Sequence, residues 1–390
     1  MSLGEVTPYD SDDDSILLGA FGPMSGKTPL LGHFLQHGMA LAVEEINTRG
    51  GVHGKALEIV LRDDGGEPDE AAEAVHEMIV DDQVAAIIGG VASRSCHAAA
   101  KVCQQFRVPM VAAFGPHPAV TEAGSYIFRT CVSDGWQGTA AAHFALKALN
   151  ARRAALLVDT ALDYSVLLAF NFTEEFERRG GLIVSVEEYE QIKDGAAFEM
   201  GLREILEEAF DGKPDILYVP GYYPDVGRIG RIVRSMDQWM PLMGGDGWHS
   251  PHLTDFAVNA LEDCYLTEHW SPEEPSDAVQ SFIQRYRDAY KGEFPAATAA
   301  LAYETVGLIA DALLRAGIPD GDFYGDPQYR KRLRDAISNT TDFQGVSSQV
   351  SFDSHRNAIR SVVVLQVRGD EFRYDATVHP DGTLMRAAVE

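Results

Sequence analysis

Cysteine is scarce in this chain of 390 residues. Cys96, Cys103, Cys131 and Cys264 are too few and too scattered for a disulfide scaffold or a thiolate zinc site. Cys96 and Cys103 lie on one predicted helix, about two turns apart, which is beyond disulfide reach. The cysteines therefore exclude a small disulfide-built scaffold and leave the redox compartment undecided.

Basic residues are also in deficit, because 59 Asp and Glu oppose 32 Lys and Arg and leave a net charge of -27. Nucleic acid and anionic membrane would both repel such a surface, so neither is expected as a partner. A surface that attracts cations is one interpretation of this charge. The simpler interpretation, which we prefer, is that the acidic surface keeps the protein soluble.

Long apolar runs are absent as well, and no uninterrupted stretch approaches the roughly 20 residues of a transmembrane helix. Residues 1–14 are polar and acidic, which predicts a flexible N-terminal segment and not a signal peptide. Met1-Ser2-Leu3 resembles an artificial start on a trimmed mature chain. We therefore expect that a secretion signal has been removed.

What the chain does contain is a regular alternation of apolar strand patterns and helical patterns. The length predicts two domains, and the alternation predicts α/β architecture with doubly wound parallel sheets. Near the C-terminus, Ser361–Val367 and Glu371–Tyr374 predict a hairpin. The main predicted strands are Ile16–Phe21, Leu57–Arg62, Ala85–Ile88, Met110–Ala113, Ala154–Val158, Leu182–Tyr189, Ile216–Val219 and Cys264–Thr267.

Polar or aromatic side chains follow several of these strands, at the turn before the next helix. Small ligands bind at the carboxyl ends of parallel strands. Because the turns come from both halves of the chain, they predict a ligand cleft between two domains. The side chains at these turns are Ser93, Phe114, Tyr164, Tyr222 and Asp246.

Asp246 lies between two glycines and next to Trp248. A carboxylate there can meet a ligand ammonium, and an aromatic face adds about 2 kcal/mol of cation–π attraction when desolvated. An ordinary turn aspartate that accepts from backbone amides is the alternative. Together with the other strand-end residues, Asp246 favours ligand contact.

Other chemistries receive less support from the sequence. Gly22-Pro23-Met24-Ser25-Gly26-Lys27-Thr28 ends like a phosphate-binding loop, but its glycines are too close together and Pro23 lacks an amide hydrogen. Ser25 and Ser93 stand in no Gly-x-Ser-x-Gly elbow, so a hydrolase is unsupported. His33 and His37 have zinc-binding helical spacing without the Glu of a metalloprotease motif, and we interpret them as structural histidines.

Several stretches, in this order and spacing, make the chain resemble the leucine/isoleucine/valine-binding proteins, which are type I periplasmic solute-binding proteins of ABC importers. The likeness extends from about Ile16 to Val367. The stretches are Gly22-Pro23-Met24-Ser25-Gly26, Glu44-Glu45-Ile46-Asn47, Gly50-Gly51-Val52-His53-Gly54, Arg62-Asp63-Asp64, Ile87-Ile88-Gly89-Gly90, Asp163-Tyr164 and Gly221-Tyr222-Tyr223-Pro224-Asp225.

This resemblance implies two lobes joined by a three-segment hinge. The crossovers are expected near Cys131–Asp134, near Thr267–Trp270 and just before Val350. Lobe 1 would comprise 15–132 and 268–348, and lobe 2 would comprise 133–267 and 349–390. Cys131 and Cys264 would lie on neighbouring hinge strands, where they either pair or simply pack.

The resemblance also implies that strand-end residues from both lobes hold the ligand, namely Ser93, Phe114, Pro116, Tyr164, Tyr222 and Asp246. Ser93 matches the serine that binds a ligand carboxylate, and Asp246 matches the acid that holds the ammonium. Pro116 can donate neither an amide nor a hydroxyl, so one carboxylate contact is lost. Phe114 and Trp248 would reshape the pocket, and Leu31 stands where the family can present an aromatic.

These departures predict a small amphipathic solute with an amine or amide, such as an amino acid or an aromatic derivative. The predicted function is an extracytoplasmic receptor that closes on this solute and delivers it to an ABC permease, with no catalysis, cofactor or metal. A cytoplasmic amide or amino-acid sensor that acts on a regulatory partner is the alternative. A signal peptide in the natural gene would favour transport.

Overall fold

The computed structural model describes residues 15–190, 196–319, 324, 326–346 and 348–387; the predicted flexible segment 1–14 lies outside them. The strands are β1 Ser15–Gly22, β2 Ala56–Asp63, β3 Ala86–Gly89, β4 Met110–Ala112, β5 Ile127–Arg129, β6 Arg153–Asp159, β7 Leu182–Tyr189, β8 Ile216–Tyr218, β9 Leu242–Gly244, β10 Tyr265–Glu268, β11 Phe343–Gln344, β12 Gln349–Phe352, β13 Ala358–Ile359, β14 Val362–Arg368, β15 Glu371–Val378 and β16 Leu384–Arg386. The helices are α1 Pro29–Thr48, α2 Pro68–Val80, α3 Ser93–Phe106, α4 Ala119–Glu122, α5 Asp134–Lys147, α6 Asp163–Arg178, α7 Ala196–Asp211, α8 Tyr223–Ser235, α9 Leu253–Ala257, α10 Asp277–Ala289, α11 Ala297–Ala316 and α12 Pro327–Ser338.

The first sheet is parallel throughout and runs in the order β2-β1-β3-β4-β5. Strands β1, β3 and β4 are almost wholly buried, as expected for a sheet covered by helices on both faces. Helices α1, α11 and α12 contribute to the core on one face, and α2 and α3 contribute to the core on the other. We call this unit the first lobe.

The second sheet runs in the order β16-β15-β14-β10-β9-β8-β6-β7. Strands β6 to β10 are parallel to one another, whereas β14 pairs antiparallel with β10, and β14, β15 and β16 pair antiparallel and include the predicted C-terminal hairpin. Helices α5 and α6 cover one face, and α7, α8 and α9 cover the other. We call this unit the second lobe, and the two lobes confirm the predicted fold class.

The third crossover follows β13 and precedes β14. Val350 and Ala358 are buried in the core of the first lobe, because β12 pairs with both β11 and β13 and this small sheet packs against the first sheet. The Phe352 ring also lies 5.3 Å from that of Phe128. The predicted boundary between residues 348 and 349 therefore differs from the packing, which carries the first lobe as far as Ile359.

Helix α11 is long and apolar enough to cross a membrane by length and composition. In this fold, however, 72% of its apolar window is buried inside the protein. Its buried residues include Ala302, Val306 and Leu313, which belong to the core of the first lobe. The helix is therefore a core element of that lobe.

Candidate ligand-binding site

On the first lobe, the candidate site is formed by the turns after β3 and β4. Ser93 begins α3, and its Oγ accepts a hydrogen bond from the amide of His117 at 3.3 Å. Phe114 follows β4, and the neighbouring Gly115 has a φ of +100° and packs on Cys96, where an added Cβ would lie 3.1 Å from the thiol sulfur. This close packing holds the Phe114 turn against α3.

On the second lobe, Tyr164, Tyr222 and Asp246 come together as predicted from their positions at strand ends. The Tyr164 hydroxyl donates to Asp246 Oδ1 at 2.9 Å and accepts from the amide of Gly247 at 2.9 Å. The Tyr222 ring stacks on Tyr164 with centroids 5.2 Å apart, and its side of the pair is exposed. The three side chains thus form one contiguous polar and aromatic surface.

His269 links this surface to the first lobe. Its Nε2–H donates to Asp246 Oδ2 at 3.0 Å, and the Phe114 ring packs edge-on against the imidazole at 4.5 Å. Phe114 and Asp246 therefore lie on two sides of one histidine. The sequence interpretation missed His269, although it follows β10 within the segment predicted as the second crossover.

Asp246 and His269 form a charged pair. Burial by itself would raise the pKa of Asp246, but the hydrogen bond and positive charge of His269 outweigh it, and the pKa is lowered. Burial likewise opposes the charged form of His269, but Asp246 raises the pKa of the imidazole. The side chain of Asp246 is 14% exposed, so this ionised carboxylate still faces solvent.

A second carboxylate, Asp134, lies near this pair at the start of α5. It is buried, and burial followed by the negative charge of Asp246 raises its pKa to about 7. Among the residues that the structure describes, Asp134 Oδ1 has no hydrogen-bond partner. Asp134 escaped sequence interpretation because it was assigned only to the first crossover.

Gln137 lies one turn further along α5. Its Oε1 accepts from the Thr267 hydroxyl at 2.9 Å and from the amide of Asp246 at 3.4 Å. Within the described part of the chain, its buried Nε2 has no partner. Buried donors normally have a partner, so Gln137 and Asp134 leave unmatched hydrogen-bonding capacity beside Asp246.

The structure corrects the role predicted for Trp248. Its side chain is completely buried in the apolar core beneath the second sheet, and its indole N–H donates to the carbonyl of Val219 at 2.9 Å. The ring lies so close to Gly244 that a Cβ there would be 2.1 Å from Nε1. Trp248 is therefore a packing residue and not a ligand contact.

Pro116 and Leu31 were also predicted to contact the ligand. The carbonyl of Pro116 accepts from the amide of Asp134 at 3.2 Å, so this residue ties its loop to the first crossover. Leu31 is half-buried in the first turn of α1, where its amide donates to Thr28. It is not part of the chain of contacts from Phe114 to Tyr222.

The loop that resembles a phosphate-binding motif is occupied by the protein's own carboxylate. Asp63 Oδ1 accepts from the amides of Met24, Ser25 and Gly65 at 2.8, 3.1 and 2.8 Å. Those amides are the groups that would bind a phosphate, and the aspartate would repel one. This geometry argues against phosphate binding, and so against nucleotide binding, at this loop.

The four cysteines are buried and free. Burial raises the pKa of Cys131 to about 12 and that of Cys264 to about 11. Cys264 Sγ accepts instead from the amide of Leu242 at 3.4 Å. The structure thus favours packing for Cys131 and Cys264, the second of the two alternatives.

Comparison with known proteins agrees with this architecture. A family model described as periplasmic binding protein matches residues 15–371. A leucine-, isoleucine-, valine-, threonine- and alanine-binding protein of Pseudomonas aeruginosa is 25% identical over 389 residues, which cover 98% of this chain and 95% of the relative.

Solved structures show the same similarity. The leucine-binding protein LivK of Thermotoga maritima is 32% identical with a TM-score of 0.76, over 94% of this chain and 99% of LivK. The branched-chain amino acid binding protein LivJ of Streptococcus pneumoniae, solved with isoleucine, is 28% identical with a TM-score of 0.73, over 92% of this chain and 99% of LivJ. The chain belongs to the periplasmic binding protein family, in the leucine/isoleucine/valine-binding group that its sequence resembles.

Proposed function

We propose that this chain is the extracytoplasmic receptor of an ABC importer and that it binds an amino acid or a related small amine or amide between its lobes. The observation that carries the proposal is the ionised, partly exposed carboxylate of Asp246. It stands beside the stacked Tyr164 and Tyr222 rings. The names of the relatives, which include leucine, isoleucine and valine, support an amino acid.

An ammonium group suits this surface for two reasons. A carboxylate accepts about four hydrogen bonds, so Asp246 can accept from a ligand while it is bonded to Tyr164 and His269. The second reason is the neighbouring Asp134 carboxyl, whose ionised form is disfavoured by burial and by the negative charge of Asp246. An ammonium beside these two carboxyls would favour the ionised form of both.

The first lobe would bind the other end of the solute. Ser93 Oγ already accepts from His117, so its hydroxyl hydrogen remains available for a ligand carboxylate or carbonyl. The Phe114 ring adds an apolar surface next to His269. This combination favours an amphipathic solute whose polar head lies between Ser93 and Asp246.

Binding is coupled to hinge closure in this proposal. Ser93 and Phe114 contact the solute first, and Tyr164, Tyr222 and Asp246 contact it fully only when the lobes close. A ligand shifts such an equilibrium only through its greater affinity for the closed form. The permease then recognises the closed form, and no bond of the solute is broken.

The test is a thermal-shift screen of the tag-free chain against amino acids, amides, polyamines and aromatic acids, followed by calorimetry of the best ligand. A ligand specific for the native state raises the melting temperature. We expect amines or amides to raise the melting temperature. Asp246→Ala should weaken the binding free energy of such a ligand by about 2–5 kcal/mol, as for removal of one partner of a buried charge pair.

Asp255→Ala is the matched control, because this exposed aspartate lies on the same lobe and forms an ion pair with the exposed His252 at 2.9 Å. Unchanged affinity in Asp246→Ala, or hits confined to acids without an amine or amide, would refute the proposal. Fractionation of cells that express the natural gene would separate the extracytoplasmic receptor from a cytoplasmic sensor.

A further inference from the structure

Three side chains with metal-binding donor atoms converge on the first lobe, outside the chain of contacts in the cleft. His33 and His37 lie on α1, and Glu293 lies between α10 and α11. His33 Nε2 is 3.1 Å from Glu293 Oε1, and His37 Nδ1 is 3.1 Å from Glu293 Oε2. We propose that these residues bind a divalent transition-metal ion, with zinc as the first candidate.

The distances fit a shared ion. Zinc bonds of about 2.0–2.1 Å in tetrahedral geometry place neighbouring donor atoms roughly 3.3 Å apart. One donor atom from each of the three residues lies within 4.8 Å of the other two. Within the described residues, no other group of three His, Cys, Asp or Glu side chains meets this criterion.

The histidine positions follow from helix geometry. Residues four apart lie on the same face of a helix, and the rings of His33 and His37 have centroids 3.9 Å apart. The missing ligand comes from a distant part of the chain, since the turn after α10 brings Glu293 against this face. The two histidines alone therefore gave an incomplete signal.

Aromatic neighbours hold the donors in place. The His37 ring stacks on Tyr290 at 3.8 Å, nearly parallel. The Tyr286 hydroxyl lies 3.3 Å from Glu293 Oε2 and donates to it. Such outer contacts orient ligands in metal sites and add to affinity.

The site is open to solvent and to exchange. The side chains of His33, His37 and Glu293 are 41%, 23% and 32% exposed. Three protein ligands leave one position of a tetrahedral ion for water or another small ligand. Two imidazoles and one carboxylate suit zinc, copper or nickel better than magnesium or calcium, and the net charge of -27 attracts cations in general.

The test uses the full chain without a histidine tag, treated with a chelator and then titrated with Zn²⁺ against a chromophoric competitor. We expect one saturable site per chain and a higher melting temperature with Zn²⁺. Glu293→Gln and His37→Ala should each weaken binding by more than about a hundredfold, beyond the roughly 10–100-fold loss expected from removing an outer contact alone. The four cysteines are buried, so they offer no exposed thiolate that competes.

His252→Ala is the matched control, because His252 forms an exposed pair with Asp255 and belongs to no group of three potential metal ligands within the described residues. It should leave Zn²⁺ affinity unchanged. Glu293→Gln keeps a hydrogen-bond acceptor for the histidines, so it separates metal binding from a structural hydrogen bond. Absence of saturable binding, or equal affinity in Glu293→Gln, His37→Ala and the unaltered chain, would overturn the proposal.

Discussion

At the scale of single residues, Asp134 is a residue of the candidate site that the sequence did not reveal, because it lies in the predicted first crossover. Its carboxyl is buried at the start of α5, beside the negative charge of Asp246. Both influences disfavour the charged form, and they raise its pKa from 3.8 to about 7. Neither the burial nor the neighbouring charge follows from the local sequence Ser133-Asp134-Gly135.

This raised pKa predicts a pH-dependent stability. Below about pH 3 the carboxyl is mostly protonated in both the folded and the unfolded chain. As the pH rises, the unfolded chain loses this proton first, so the folded state loses stability until its own carboxyl ionises near pH 7. Asp134→Asn should remove this loss, which is at most about 4 kcal/mol because each pKa unit corresponds to about 1.4 kcal/mol.

The measurement is the melting temperature of the ligand-free chain and of Asp134→Asn from about pH 4 to about pH 8. The advantage of the variant should grow with pH and level off above the folded pKa. Glu274 also has a pKa of about 7, but it is present in both proteins, so its effect cancels in the difference between their melting temperatures. A difference for Asp134→Asn that stays constant over this pH range would contradict the assignment.

At the scale of elements, helices α1 and α11 pack at very short distance. Gly38 on α1 faces the backbone of Ala299 on α11, and a Cβ at Gly38 would lie 2.1 Å from the Ala299 carbonyl oxygen. Because the obstacle is backbone and not a flexible side chain, the helices would have to move apart. This contact places α1, with Leu31, His33 and His37, firmly on the first lobe.

Gly38→Ala should therefore destabilise the chain by about 1–3 kcal/mol, which is the usual cost of overpacking. The measurement is the free energy of unfolding in urea. Gly201→Ala is the control, since a Cβ at that position in α7 meets nothing within 4 Å and alanine stabilises a helix interior by about 0.5–1 kcal/mol. Equal stability of Gly38→Ala and the unaltered chain would show that the helices separate freely.

At the scale of the whole molecule, Arg360 links the third crossover to the first crossover and to both lobes. Its Nη1 donates to Glu304 Oε1 on α11 at 2.5 Å and to the carbonyl of Thr130 at 2.8 Å. The backbone carbonyl of Arg360 accepts from the Trp136 indole at 2.8 Å. One buried residue at the third crossover thus contacts the first crossover, the first lobe and α5 of the second lobe.

Arg360→Met should lower the free energy of unfolding by about 3–5 kcal/mol, because it leaves the buried Glu304 carboxylate without its partner. The double change Arg360→Met with Glu304→Met should recover much of this loss, since an apolar pair replaces a buried ion pair at little net cost. Urea unfolding of both variants measures the difference.

Lys331→Met is the control for a generic ion pair, because its pair with Asp335 on α12 is solvent-exposed. It should change stability by less than about 1 kcal/mol. A double variant that is as unstable as the sum of its two single changes would contradict the interpretation of Arg360 and Glu304 as one coupled unit.

The alternation of strand and helix patterns predicted nearly every element up to α11, because periodicity depends on neighbours in the sequence. It missed α12 and the small strands β11 to β13. Tyr329, Leu333 and Ile337 are spaced four residues apart and are buried on one face of α12, so the sequence does carry a helical pattern there. Strands as short as β11 and β13 have little pattern of their own and exist through their pairing with β12.

Sequence patterns alone were enough to predict the two βα halves, the acidic surface and the strand ends that carry Ser93, Phe114, Tyr164, Tyr222 and Asp246. Tertiary structure alone decided that Trp248 points into the core, that His269 lies between Phe114 and Asp246, and that Glu293 meets His33 and His37. Periodicity records only which face of an element is buried, whereas contacts between distant segments depend on how the crossovers and packed helices bring them together.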